Sequence, residues 1–210
     1  MSSILAYLTA GNNVAESDDF ATIKYNDKRS DDDYTFAFFD AYEDDNGDIQ
    51  MLTPVNLDRV YVLTTNNSCS ASEVYINGLR GIGVEVIQIG GTTCGKTYGF
   101  GGEVNCGKRY FSIEFESVNG QGFGDFSDGF EPVASGGNPL SSKINGCKVD
   151  DDLSQPLGSI NEDMLAAALF HRENGRCPSA QSGTQKVSPS LHVHGEVAAP
   201  MSQKVLRLFP

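Results

Sequence analysis

The sequence predicts an α/β fold. Two strand-like runs, residues 59–65 (RVYVLTT) and 84–89 (VEVIQI), flank a helical stretch within about thirty residues, the size of a βαβ unit. Strand-like runs at 34–42 (YTFAFFDAY) and 110–116 (YFSIEFE), and a second helical stretch at 161–172 (NEDMLAAALFHR), continue the alternation.

Each element has its local reason. SSILAYLTAG, residues 2–11, reads as a short amphipathic helix with a Ser cap and Gly11 as the stop. It lacks a basic start and is too short to span a bilayer or to act as a signal peptide. Asn46-Gly47-Asp48 supplies turn chemistry between the first two strands. In the βαβ helix, Ala71, Val74, Tyr75, Gly78, Leu79 and Ile82 fall on one stripe, and Gly81 and Gly83 end it. Its two flanking strands are expected to lie parallel. Residues 120–147, rich in Gly, Ser and Asp, read as a long irregular connection. In the last helix Asn161 or Ser159 caps, and Met164, Leu165, Ala168 and Leu169 form the stripe. Beyond residue 178 periodicity is lost. The expected organisation is a domain over 1–178 and a flexible tail over 179–210.

The formal net charge of −13 repels phosphate backbones and anionic membranes, so nucleic acid is not an expected partner. The acidic runs near residues 16–19, 30–33 and 42–45 read as solvated loops. Five cysteines have no C-x-x-C metal spacing. Two bridges and one free thiol is the favoured arithmetic: Cys94 with Cys106 across the Gly-rich turn, and Cys147 with Cys177 at the end of the last helix. That pairing implies an oxidising compartment, whereas five buried thiols would fit a cytoplasmic protein. No cofactor or metal is expected. His192 and His194 lie in the tail, and Asp125 and Asp128 read as turn residues.

GGTTCGKT, residues 90–97, matches the phosphate-binding pattern G-x-x-x-x-G-K-[ST]. A phosphate loop needs a helix to begin at its lysine, so that free N–H groups face the phosphate. Gly99, Gly101, Gly102 and Gly107 follow instead, each costing a helix about 1 kcal/mol. Lys96 therefore needs another role.

Ser70 opens the βαβ helix and Lys96 follows its second strand, so both leave carboxyl ends of parallel strands, the edge where α/β proteins place their sites. A Ser hydroxyl becomes nucleophilic when a base removes its proton, and a helix N-terminus offers N–H groups to a forming oxyanion. A free lysine has a pKa of about 10.4, so a lysine base at neutral pH requires burial or a nearby positive charge. Ile87, Ile89 and Tyr98 are the expected apolar neighbours of Lys96. Taken alone, Ser70 with Glu73 is a capping box and Lys96 a turn lysine. Ser72 is the second candidate nucleophile. Cys69 is a weaker one, because His171, His192 and His194 are poorly placed as its base.

The stretch SCSASEVYINGLRGIGVEVIQIGGTTCGKTYG, residues 68–99, resembles the S-A-S-E helix and T-x-G-K turn of the tail-specific, or carboxyl-terminal processing, proteases, serine peptidase family S41. The resemblance covers roughly residues 1–178. It implies a ClpP/crotonase-like core, incomplete at the N-terminus, in which Ser70 is the nucleophile, Lys96 the general base, and the Ala71 N–H half of the oxyanion hole. It further implies a protein or peptide substrate and a periplasmic or extracellular setting. The family's upstream Gly-rich stretch, the source of the other oxyanion donor, is expected before Met1. The Ser-to-Lys spacing is one residue longer than usual, to be absorbed by a bulge near Gly90 and Gly91. Gly81 stands where some members carry an acid, so acidic support for the dyad must come from elsewhere. The alternative is an inactive fragment or homologue that binds peptides at a sheet edge.

Overall fold

The computed structural model describes residues 1–15 and 17–179. The chain opens with α1 (Ser2–Ala10), which Gly11 ends at φ 44°. Met1 holds the cap position, so neither serine caps. The Ser3 hydroxyl instead donates to the Ala37 carbonyl and accepts from the Phe39 N–H, fastening α1 to the strands that follow.

Those strands are β1 (Asp19–Tyr25), β2 (Tyr34–Ala37), β3 (Ala41–Glu43), β4 (Ile49–Met51) and β5 (Arg59–Thr64). The βαβ helix is α2 (Ala71–Gly81), followed by β6 (Glu85–Gly90), β7 (Tyr98–Asn105), β8 (Lys108–Val118), β9 (Glu131–Val133), β10 (Lys143–Lys148) and α3 (Asp163–Asn174). The expected strand at 34–42 is thus broken. Its first half pairs with β1, and its second forms the β3–β4 hairpin, closed by the Asn46-Gly47-Asp48 turn.

Two four-stranded sheets carry the domain. One has the order β5-β6-β10-β9 with every neighbouring pair parallel, which meets the expectation for the βαβ unit. Successive residues of β6 point to opposite faces. Val86 joins Ile76 and Leu79 of α2 in the larger core, while Ile87 and Ile89 pack with Met164, Ala167 and Ala168 of α3. The other sheet, β2-β1-β8-β7, is antiparallel and presses Phe20 of β1 against α2. Helices and both kinds of sheet together make an α/β fold. Among the described residues no helix is long and apolar enough to cross a membrane.

Five strands were not expected from sequence: β1, β4, β7, β9 and β10. β10 (KINGCK) has only two large apolar or sulfur side chains facing in, Ile144 and Cys147, and exists because β6 and β9 supply partners on both sides. Tertiary pairing here overrides weak propensity. The N-cap of α3 is Glu162, whose carboxylate accepts from the Met164 and Leu165 N–H groups, in place of Asn161 or Ser159. Cys69 bonds to Cys94 and Cys147 to Cys177, leaving Cys106 as an exposed free thiol. The second pairing agrees with expectation and the first corrects it. Cys106 sits in the tight turn between β7 and β8, away from the segment Cys94 occupies. The tail beyond residue 179, with His192 and His194, lies outside the described residues.

Candidate active site

Ser70 stands at the N-cap of α2 with φ 56° and ψ −110°, a conformation that a residue with a side chain rarely adopts. Such backbone costs on the order of 1–3 kcal/mol and persists only where the surroundings over-determine it. Here they do. Cys69, immediately before, is bonded to Cys94 with their Cα atoms 5.2 Å apart, and the Cys94 N–H donates to the Ser68 carbonyl at 3.0 Å. The turn before α2 and the turn after β6 are therefore laced together twice just ahead of the nucleophile candidate.

Glu73 completes the lacing. It is fully buried, and its carboxylate accepts four hydrogen bonds, close to what two carboxylate oxygens hold. The Ser70 and Lys96 backbone N–H groups both donate to Oε2, each at 2.9 Å. The Gly95 N–H and the Thr93 hydroxyl donate to Oε1 at 2.7 and 2.6 Å. Because one oxygen receives both, the Ser70 and Lys96 nitrogens lie within twice 2.9 Å of each other. The capping box read from sequence is present, and the same carboxylate also fixes the lysine turn. Gly95 is required in that turn: φ is 81°, and a Cβ there would stand 2.1 Å from the Ser127 carbonyl oxygen.

Ser70, Ala71 and Lys96 line one cleft of about 410 Å³ between the antiparallel sheet and the N-terminal ends of α1 and α2. Phe20, Ile23, Phe36, Phe39, Phe100 and Phe115 make its apolar walls. Lys96 is the only charged side chain among the described residues that line it. Ala71 is the first residue of α2, so its N–H belongs to the first-turn donors that have no partner inside the helix. The arrangement offers a hydroxyl, an amine and an amide donor around an apolar hollow, the parts that acyl transfer needs.

No protein-family model matches the chain, and no protein of curated function matches its sequence. Solved structures do. One is that of a candidate S41 protease from Bacteroides fragilis NCTC 9343, similar to this chain with a TM-score of 0.61 and 26% identity. The match covers 82% of this chain and 40% of that one, so the chain spans less than half the length of its neighbour.

The site corrects several expectations. Lys96 is exposed rather than buried. Ile87 and Ile89 point to the α3 side of the sheet, and Tyr98 is 49% exposed, so none of the three shelters it. The nearest aromatic partner is Phe100, whose ring centroid is 5.8 Å from Nζ. β6 pairs in unbroken register through Gly90 with β5 and β10, so no bulge there takes up an extra residue. Cys69 is excluded as a thiol nucleophile by its disulfide. Ser72 is exposed and outside the cleft. His171 meets the Tyr61 hydroxyl on the α3 side of the sheet. Lys96 is followed by β7 and not by a helix, so the phosphate-loop match is coincidental.

Sequence reasoning missed the second role of Glu73 and most of the cleft wall. Phe20, Phe36 and Phe39 are remote from Ser70 along the chain and reach it only because β1 and β2 fold against α2. No local pattern signals that.

Proposed function

We propose that this chain carries the catalytic residues of a serine peptidase of the S41 type, with a ClpP/crotonase-like core. Ser70 Oγ attacks the carbonyl carbon of a peptide bond, and its proton passes to Lys96 Nζ. The oxyanion forms beside the Ala71 N–H, and the leaving amine takes the proton from Lys96 as the acyl-enzyme forms on Ser70. Water then attacks the ester, Lys96 again carrying the proton. A substrate seated in the cleft covers Lys96, which is open to solvent without it.

The observation that carries this reading is the shared carboxylate: Glu73 Oε2 holds the backbones of Ser70 and Lys96 at once, beside a cleft that both side chains line. Similarity to the candidate S41 protease supports the reaction class, and two disulfides support a periplasmic or extracellular setting. The substrate is a protein or peptide, and the apolar cleft favours apolar side chains beside the cleaved bond. A fluorophosphonate probe tests the proposal. Intact-mass analysis should find one adduct on the wild type, none on Ser70→Ala, and strongly slowed addition on Lys96→Ala. A wild-type chain that is never labelled would overturn it. The exposure of Lys96 favours a second reading, a chain that holds peptides without cutting them, and that result would support it.

A further inference from the structure

The two four-stranded sheets have four edge strands, and three of them are poor templates for another chain. β2 has four residues, β9 has three and contains Pro132, and β5 has six and opens with Arg59 paired to Glu85. Short length, proline and charge are the usual means of blunting an edge. β7 is the least blunted. It is eight residues long, contains no proline and a single charge, Glu103, shifts register against β8 once, between Gly99 and Phe100, and pairs on one side only, with β8.

One face of the β7–β8 hairpin is largely apolar and open to solvent. Across the ladder Phe100 stands opposite Ile113, and Gly102 opposite Phe111, which puts these residues on the face that Val104 shares two positions on, with Arg109 opposite Val104 and its side-chain stem beside Gly102. Phe100, Val104, Phe111 and Ile113 are 49%, 64%, 59% and 69% exposed. The Phe100 and Phe111 rings meet edge to face at 5.6 Å. The opposite face carries Glu103, Tyr110 and Ser112. A soluble domain rarely leaves four large apolar side chains together in water without a partner for them. The strip is also continuous with the cleft: Tyr98, Gly99 and Phe100 of β7 line it beside Lys96.

We infer that β7 is the docking edge for the substrate polypeptide, which adds to the sheet as a further strand and lays alternate apolar side chains on the Phe100, Val104, Phe111 and Ile113 face. This rests on the peptidase reading, and it specifies the substrate: an extended, unfolded segment with large apolar residues at every second position, leading away from the cleaved bond. Main-chain bonds to the free edge supply sequence-independent affinity, and the apolar strip sets the pattern. Eight strand residues span about 26 Å, enough for four side chains on one face.

The test uses the full chain as Ser70→Ala, so that bound peptide is not consumed, and fluorescein-labelled peptides of the length of β7. One probe alternates apolar and polar residues. A second has the same composition in blocks, and a third is the first with alternate amides N-methylated. Fluorescence anisotropy should show the alternating probe binding about tenfold or more tighter than the other two. The combined change Val104→Thr, Phe111→Thr, Ile113→Thr should abolish that preference. Fluorophosphonate labelling of Ser70 in the otherwise wild-type chain should stay unchanged in the triple variant, because the small probe enters only the cleft. Equal binding of all three peptides, with labelling intact, would overturn the docking edge and leave the peptidase reading standing. Sedimentation showing that the triple variant loses self-association rather than peptide binding would assign the strip to a second copy and overturn it too. Absent labelling of the wild type would remove the reading on which the inference depends.

Discussion

The two disulfides close loops of nearly equal length, 25 and 30 residues apart in sequence, yet they stand in different regions of the molecule. Cys69–Cys94 joins the two turns at the carboxyl ends of β5 and β6, one residue before Ser70 and two before Lys96. Cys147–Cys177 ties β10 to the chain just past α3, with Met164 and Ala168 packed nearby. Chain-entropy arguments assign both a similar contribution, about 3 kcal/mol. Only their surroundings differ. The first holds a strained backbone in place beside the proposed Ser70 and Lys96 pair, and the second holds a helix on a sheet. A cross-link's thermodynamic weight and its weight in positioning side chains are thus separate quantities.

The largest effect expected from this difference is kinetic. In a Cys106→Ser background, which removes the exposed thiol, Cys69→Ser with Cys94→Ser should slow fluorophosphonate labelling of Ser70 about a hundredfold, the usual consequence of displacing a reactive group by about 1 Å. Cys147→Ser with Cys177→Ser should leave the labelling rate within about twofold when measured well below the unfolding midpoint. Urea unfolding should show both pairs losing about 3 kcal/mol. Equal loss of labelling in the two variants would mean that the first bridge acts only through global stability.

How much of this was legible beforehand divides along the same line. The βαβ unit was readable because α2 and β6 declare themselves by period and punctuation, and with them came Ser70, Lys96 and the parallel pairing of β5 and β6. The pairing of Cys147 with Cys177 was also readable, as a tie between the preceding segment and the far end of one recognisable helix. Cys69 with Cys94 was not, because it depends on how two turns approach after the sheet forms. β7 was hidden by its three glycines, and with it the real environment of Lys96, whose near neighbour is Phe100 and not Ile87 or Ile89. The cleft itself needs β1 and β2 folded over α2, which no window of the sequence contains.

Two buried glutamates at helix N-termini sharpen the comparison at the next level. Glu73 accepts from Ser70, Thr93, Gly95 and Lys96, whereas Glu162 accepts from Met164 and Leu165 at the start of α3. Replacing Glu73 by Gln turns one acceptor into a donor facing donors, which should cost about 2–3 kcal/mol and slow labelling about tenfold. The same exchange at Glu162 loses part of one cap, about 1 kcal/mol, with labelling unchanged. Glu73→Asp, which keeps the charge on a shorter arm, should recover stability better than labelling. Identical responses at the two sites would show that Glu73 is only a cap.

The smallest effect belongs to the surface of the scaffold region. Glu131 of β9 receives a hydrogen bond from Lys148 Nζ at 2.6 Å, and that partner holds its carboxyl below the ordinary value of 4.5. A carboxylate whose folded value is depressed stabilises the fold above the unfolded value, and the contribution is lost as pH falls through the folded one. Water screens this pair, so the stabilisation should be slight and should weaken with added salt. The urea midpoints of wild type and Glu131→Gln should therefore differ a little near neutral pH and converge as the pH drops below 4.5. Ser70 labelling should stay within about twofold, because the Glu131 carboxylate meets Lys148, whereas the bonds to the Lys96 turn are made by the backbone of the preceding residue, Phe130, with Thr93. A gap in midpoint that persists in acid would assign the effect of Glu131 to packing instead of charge.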